Sequence, residues 1–66
     1  MLKIEIEREQ GRWIGEVPEL PGVLAYGATE AEARAKTAAF ALRGIADRIE
    51  NGEPAPFDPS DLFVAA

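Results

Sequence analysis

Three glutamates near the amino terminus are the residues of this chain best suited to chemistry. Glu5 and Glu7 alternate with apolar residues, and Glu16 follows in the next such stretch. Carboxylates that converge on one point could hold Mg²⁺ and support a nuclease reaction. Lys3 and Arg12 are interleaved with them, however, which is more typical of cross-strand charge pairing on a solvated sheet face. We therefore expect neither a metal site nor a catalytic centre here.

The chain lacks the residue types that other kinds of catalytic site need. The 66 residues include no cysteine and no histidine, which excludes zinc sites of the thiolate or imidazole type and leaves serine and threonine without a histidine base. No segment has the glycine and lysine spacing of a phosphate-binding loop. We predict that the protein is not an enzyme and needs no cofactor.

The charge balance favours a basic protein partner. Twelve acidic residues against seven basic ones give a formal net charge of −5. Such a surface repels the phosphates of nucleic acids and speeds encounter with a cationic protein. The same charge would also serve solubility alone.

Length and hydropathy bound the organisation of the chain. Residues 1–66 are expected to form one domain with a marginal core. Because disulfides are excluded, self-association is a remaining source of stability, and we expect a homo-oligomer, either a dimer or a tetramer. No apolar run approaches the ~20 residues that cross a bilayer, and the first residues lack a signal-peptide core. We expect a cytoplasmic protein that does not enter a membrane.

The periodicity predicts an α+β fold. Residues 2–8, 12–17 and 23–26 are predicted to be strands, the first two joined as an antiparallel hairpin, and residues 62–66 are apolar enough for a fourth. Between them lies a helix of about 21 residues. The order β-β-β-α-β predicts a two-layer sandwich of one sheet against one helix.

The helix carries clear local signals. Thr29 is the predicted N-cap, Glu32 completes a capping box, and Gly52 is a stop signal. Gly44 costs about 1 kcal/mol relative to alanine inside a helix, so we expect close packing there. The apolar stripe predicted to face the sheet consists of Ala35, Ala38, Leu42, Ile45 and Ile49.

Alternation also assigns the two faces of the sheet. The predicted inner layer, with Trp13 as a core anchor, is Leu2, Ile4, Ile6, Trp13 and Val17. The outer face carries Ile14 and one of two pairs, Val23 with Ala25 or Leu24 with Tyr26. A two-layer fold cannot cover these side chains, which favours an intermolecular contact. Tyr26 would either cover the helix start or offer its hydroxyl to a partner. The candidate partner-binding residues are Glu5, Glu7, Glu16 and Tyr26.

Pro18 and Pro21 frame a segment that cannot be an interior strand. Both fix φ and lack a backbone N–H, and Gly22 supplies the freedom to close a bend. We predict a stiff, ordered bend with an architectural role.

The stretch from Trp13 to Ala33, W-I-G-E-V-P-E-L-P-G-V-x-A-x-G-x-T-x-x-E-A, resembles the signature of the HicB family, antitoxins of type II toxin–antitoxin systems. The later G-E-P-A-P-F-D-P-S is similar to the family's segment after the helix. Val23 and Ala28 depart from it, since the family often has a cysteine and an acidic residue there. The structural motif residues are Pro18, Glu19, Leu20, Pro21, Gly22, Gly27, Thr29, Glu32 and Ala33.

This resemblance implies a fold, a partner and a mode of action. The implied fold is a β-β-β-α-β core like a reduced ribonuclease H, without that enzyme's catalytic carboxylates. The implied partner is a small basic mRNA-cleaving toxin of the HicA type, neutralised by occlusion of its RNA site. Many members add a C-terminal DNA-binding segment, but only four residues follow Leu62, so we expect no direct DNA binding. The alternative is a solitary homo-oligomeric HicB-like domain without a toxin, with a structural or regulatory role.

Overall fold

Residues 2–65 are described by a computed structural model, which has three strands, one long helix and a short 3₁₀ helix. Strands β1 (Glu5–Glu9), β2 (Arg12–Glu16) and β3 (Leu24–Gly27) form an antiparallel sheet in the order β1-β2-β3. Helix α1 (Glu30–Glu50) packs on one face, and the 3₁₀ helix Pro59–Leu62 follows it. The predicted α+β class is confirmed.

The first strand begins later than the alternation predicts. Glu5 pairs with Glu16, the last residue of β2. The next residue, Val17, donates its N–H to the carbonyl of Val23 (3.1 Å) and so turns away from the hairpin. Residues 2–4 therefore have no partner across β2. Leu2 nevertheless packs against the core.

Two consecutive β-turns connect β2 to β3. The N–H of Leu20 donates to the carbonyl of Val17 (2.9 Å), and the N–H of Val23 donates to the carbonyl of Leu20 (3.0 Å). A proline occupies the second position of each turn, where its fixed φ fits and no N–H is needed. Gly22 has a φ of +89°, as the third position of a type II turn requires. The predicted bend over residues 18–22 is confirmed.

The predicted helix start is also confirmed. The Thr29 hydroxyl accepts a hydrogen bond from the N–H of Glu32 (3.0 Å). The Glu32 carboxylate in turn accepts from the N–H of Ala28 (3.2 Å), one residue before the cap. The first bond satisfies a donor that the helix terminus would leave unpaired, and the second ties the residue before the cap to the first turn. The helix ends at Glu50, and Gly52 follows with a φ of +69°.

The Glu32 carboxylate of the capping box links the stability of the fold to pH in the acidic range. The hydrogen bond from Ala28 and the neighbouring Lys36 ammonium lower the pKa of Glu32 below its ordinary 4.5. A lowered pKa in the folded state stabilises the fold above the unfolded value, and this contribution is lost as the pH falls through the folded pKa. We expect Glu32→Gln to flatten the decline of Tm below about pH 4.5, measured by circular dichroism. An unchanged slope would contradict this.

The buried stripe of α1 differs from the predicted one. Leu42 is 64% exposed, Ile49 is 45% exposed and Ala35 is exposed, so their assignment to the sheet-facing stripe was wrong. Close approach explains the rotation, because Gly15 of β2 lies directly beneath Thr37 and a Cβ there would collide with the threonine side chain. The buried helix residues are Ala33, Thr37, Ala41 and Ile45.

The core lies between the double turn and the middle of the helix. Its buried members are Val17, Leu20, Ala41 and Ile45, and Leu2, Ile4, Val23 and Phe57 pack against them. Trp13 is only half-buried and stands opposite Gly27 with the Arg8 guanidinium 5.8 Å from its ring centre, so it does not anchor this core. The expected close packing at Gly44 is also wrong, since a Cβ there would meet no atom within 4 Å.

The predicted fourth strand does not form. Leu62 ends the 3₁₀ helix and residues 63–65 are in no strand. Ala66 lies outside the described residues. Local bonds favour the 3₁₀ turn, because the Asp58 carboxylate accepts from the hydroxyl (2.7 Å) and the N–H (2.9 Å) of Ser60. The same two bonds lower the pKa of Asp58. The element order is therefore β-β-β-α rather than β-β-β-α-β.

Candidate functional site: the outer face of the sheet

The sheet face turned away from α1 carries side chains in three cross-strand rows. The antiparallel registers place Glu5, Glu16 and Leu24 in one row and Glu7, Ile14 and Tyr26 in the next, with Glu9 opposite Arg12 in the third. We call these eight residues the outer face. All four candidate partner-binding residues from the sequence, Glu5, Glu7, Glu16 and Tyr26, belong to it.

The outer face is divided into an acidic part and an apolar part. The glutamates of β1 and Glu16 of β2 form the acidic part. Beside them, Leu24 is 37% exposed and Tyr26 is 38% exposed, with Ile14 half-buried between the two parts. Four glutamates and one arginine give the outer face a formal net charge of −3, which is most of the −5 of the chain.

Arg12 stands opposite Glu9, but Glu5, Glu7 and Glu16 have no cation opposite them in the register of β1 and β2. Glu5 and Glu16 stand directly opposite one another, and like charges in that position destabilise a sheet. Within residues 2–65, the ion pairs join Glu30 to Arg34 and Glu32 to Lys36, both along α1. The expected cross-strand charge pairing is met in the register only by Glu9 with Arg12, and no ion pair on the sheet joins glutamate to a cation within residues 2–65. A cation from another molecule would relieve the repulsion between the opposed carboxylates.

Arg12 is held by an aromatic ring. Its guanidinium carbon lies 3.9 Å from the centre of the Tyr26 ring, which is close enough for a cation–π interaction. This contact also answers the question about Tyr26: its pairing through Ile14 places it on the outer face, away from the helix start. Its ring braces Arg12 and remains partly open to a partner.

A shallow depression of about 210 Å³ lies over the acidic part, lined by Glu5, Ile6, Glu7, Ile14 and Glu16. Its chemistry suits a lysine or arginine side chain, with carboxylates for the charge and Ile14 for the aliphatic stem. Within residues 2–65, no three acidic side chains are arranged so that they could hold a metal ion together. The geometry therefore suits recognition of a basic surface.

Arg12 and Leu24 also belong to this face, although the sequence did not single them out as partner-binding residues. The alternation of β2 already places Arg12 beside Ile14, but its stacking on Tyr26 depends on the β2–β3 register. The choice between Leu24 with Tyr26 and the pair Val23 with Ala25 stayed open for the same reason. Small residues offered a signal for this choice. Gly15 pairs with Ala25 on the face that the helix approaches closely, which leaves Leu24 and Tyr26 for the outer face.

Comparisons of the chain with protein-family models, curated proteins and solved structures found no significant match. In the described part of the chain, no helix combines the length and apolar character needed to cross a membrane.

Proposed function

We propose that this protein is a HicB-like, antitoxin-type binding module that neutralises a small basic mRNA-cleaving toxin of the HicA type. The observation that carries the proposal is the outer face, where unneutralised carboxylates lie beside exposed apolar side chains. The sequence resemblance over residues 13–33 supports the identity of the partner. In this proposal the three strands and α1 correspond to the HicB-like fold, and the mRNA substrate of the toxin gives the cytoplasm as the site of action.

The acidic part of the outer face supplies steering and selectivity. An RNA-cleaving toxin needs a cationic surface to hold phosphates, and carboxylates compete for those cations. Glu5 and Glu16 present two negative charges at one level of the sheet. Binding there would block the RNA site by occlusion, without a reaction on either protein. Opposite net charges also raise the rate of encounter.

The apolar part supplies affinity. Tyrosine is enriched among the side chains that dominate binding energy at interfaces, because its ring is large and loses little conformational freedom. Tyr26 is already braced by Arg12, and Leu24 and Ile14 extend its surface. A partner that covers them would exclude water from the neighbouring carboxylates, which strengthens their interaction with its cations.

Calorimetric titration with a small basic toxin of the HicA type tests the proposal. We expect complex formation at low salt, loss of RNA cleavage in the complex, and weaker binding as salt is raised. Glu5→Gln with Glu16→Gln is expected to weaken binding by about tenfold or more, which is about 1.4 kcal/mol. The reason is that this change removes two carboxylates from the contact.

The matched control is Glu50→Gln with Glu53→Gln, which removes the same charge at the end of α1 and just after it, away from the outer face. We expect its binding to stay within about twofold of the wild type, since distant exposed charges are screened. No heat of binding at low salt would overturn the proposal. Equal loss in both double variants would overturn the assignment to the outer face.

A homo-oligomer without a toxin is the second candidate. Large apolar side chains at the end of α1 and in residues 62–64 are exposed, and this exposure favours self-association. They lie apart from the outer face, so self-association and toxin binding are compatible.

A further inference from the structure

An apolar groove runs between the first residues of the chain, the second half of α1 and the segment after it. It has a volume of about 360 Å³ and is lined by Leu2, Leu42, Ile45, Phe57, Asp61 and Leu62. Asp61 is the one charged residue in that lining. Leu42 and Leu62 are 64% and 62% exposed, so they border the groove without filling it.

Phe63 and Val64, the two residues after Leu62, lie outside the lining of this groove. Phe63 is 77% exposed, Val64 is 95% exposed, and neither lines the groove of its own chain. The backbone of Phe63 is extended, with φ −131° and ψ 150°. An open apolar groove beside an open apolar segment is unusual for a monomer, which rarely leaves large contiguous apolar patches in water.

The accessible surface area of the chain is larger than that of a compact monomer of the same mass. The chain exposes 4949 Å², whereas a compact monomer of its 7.1 kDa exposes about 4,100 Å². Its radius of gyration is 13.4 Å, against about 11 Å for a compact chain of this length. The excess of roughly 850 Å² is close to the ~800 Å² that each partner buries in a standard interface.

We propose that a second copy of this chain covers the groove, and that the two copies exchange their residues 63–65. Each copy places Phe63 and Val64 in the groove of the other, against Leu42 and Phe57. The contact is isologous, so both grooves and both segments are covered by one two-fold arrangement.

The groove has room for this occupant. A cavity of about 150 Å³ accommodates a benzene molecule, so 360 Å³ accepts the phenyl ring of Phe63 together with an aliphatic side chain. The extended backbone at Phe63 lets the segment reach outward from the 3₁₀ helix. Exchange also explains why side chains with strand propensity form no strand within their own chain.

This contact does not rest on the proposed toxin binding, since it uses the helix side of the molecule. Salt distinguishes the two. Copies that each carry a net charge of −5 repel one another, so added salt is expected to strengthen the dimer, while it weakens a contact between opposite charges.

Sedimentation equilibrium of the full chain tests the proposal. We expect a dimer at micromolar concentration, and we expect Phe63→Glu with Val64→Glu to weaken dimerisation by at least about tenfold. Both side chains are exposed within one copy, so circular dichroism should show an intact fold. Leu24→Glu with Tyr26→Glu, on the outer face, is the matched control and should dimerise like the wild type.

A cross-link tests the exchange itself. The chain has no cysteine, so copies that carry Leu42→Cys can be mixed with larger, tagged copies that carry Phe63→Cys. Oxidation is expected to join one of each. A monomer at 100 µM or more would overturn the proposal. A dimer whose affinity is unchanged by Phe63→Glu with Val64→Glu, or is lowered by Leu24→Glu with Tyr26→Glu, would also overturn it. The absence of the mixed disulfide would do the same.

Discussion

Replacement of Leu20 by alanine is expected to lower the free energy of unfolding by about 3 kcal/mol. Leu20 is 2% exposed and packs with Val17, Ala41 and Ile45 in the core. Its backbone belongs to both turns between β2 and β3, which hold the side chain in place, so the surroundings cannot collapse easily into the cavity. A domain of this size has a total stability of about 3–10 kcal/mol. The variant should therefore be close to unfolding.

Urea denaturation followed by circular dichroism measures this effect. Leu24→Ala is the matched control, because it makes the same chemical change on the outer face, where Leu24 is 37% exposed. We expect the control to cost less than about 1 kcal/mol, since a partly exposed side chain loses less burial. Equal losses in the two variants would contradict the role of Leu20 as a core residue.

Gly27→Ala is the second substitution with a large expected effect. Gly27 ends β3 and lies directly against the first turn of α1. An added Cβ would stand 2.9 Å from the carbonyl carbon of Glu32 and 3.0 Å from the Cα of Ala33. These are backbone atoms, so relief requires the whole helix start to move. We expect a loss of about 3 kcal/mol, at the upper end for overpacking.

Thermal unfolding of Gly27→Ala beside Gly44→Ala provides the test. Gly44 is inside α1 with no atom within 4 Å of an added Cβ, and alanine favours a helix over glycine by about 1 kcal/mol. We therefore expect Tm to fall for Gly27→Ala and to rise for Gly44→Ala. A stable Gly27→Ala variant would contradict the close approach of β3 and α1.

Features that depend on local chemistry could be predicted from the sequence. The helix start requires only Thr29 and Glu32 at the right spacing, and the double turn requires prolines and Gly22 at fixed positions. Both are satisfied by bonds within a few residues. The three strands followed from alternation and from short connections, although their ends depended on where a partner strand stops.

Features that depend on long-range packing could not be predicted in this way. The rotation of α1 is set by the approach of Thr37 to Gly15, which are 22 positions apart. The stripe chosen by apolar spacing included Ile45, which is buried, but also Leu42 and Ile49, which are 64% and 45% exposed. Residues 62–65 have strand propensity, but propensity without a partner forms no strand.

The candidate site was predictable in part. Alternation alone put Glu5 and Glu7 on one face of β1. Two other features could be predicted only with the strand registers known. They are the position of Glu5 opposite Glu16 and the stacking of Arg12 on Tyr26. Those registers depend on the geometry of the turns on either side of β2. The sequence indicates where these turns lie but does not fix the register to the residue.

The position of β1 at the border of the sheet gives its glutamates a second consequence. One side of β1 pairs with β2, and its other side offers backbone groups on which a further strand could stack. Glu5, Glu7 and Glu9 all belong to this strand, so they would repel the same residues of an identical strand stacked beside it. This repulsion opposes edge-to-edge growth into a fibre, so variants that test partner binding should leave Glu7 and Glu9 in place.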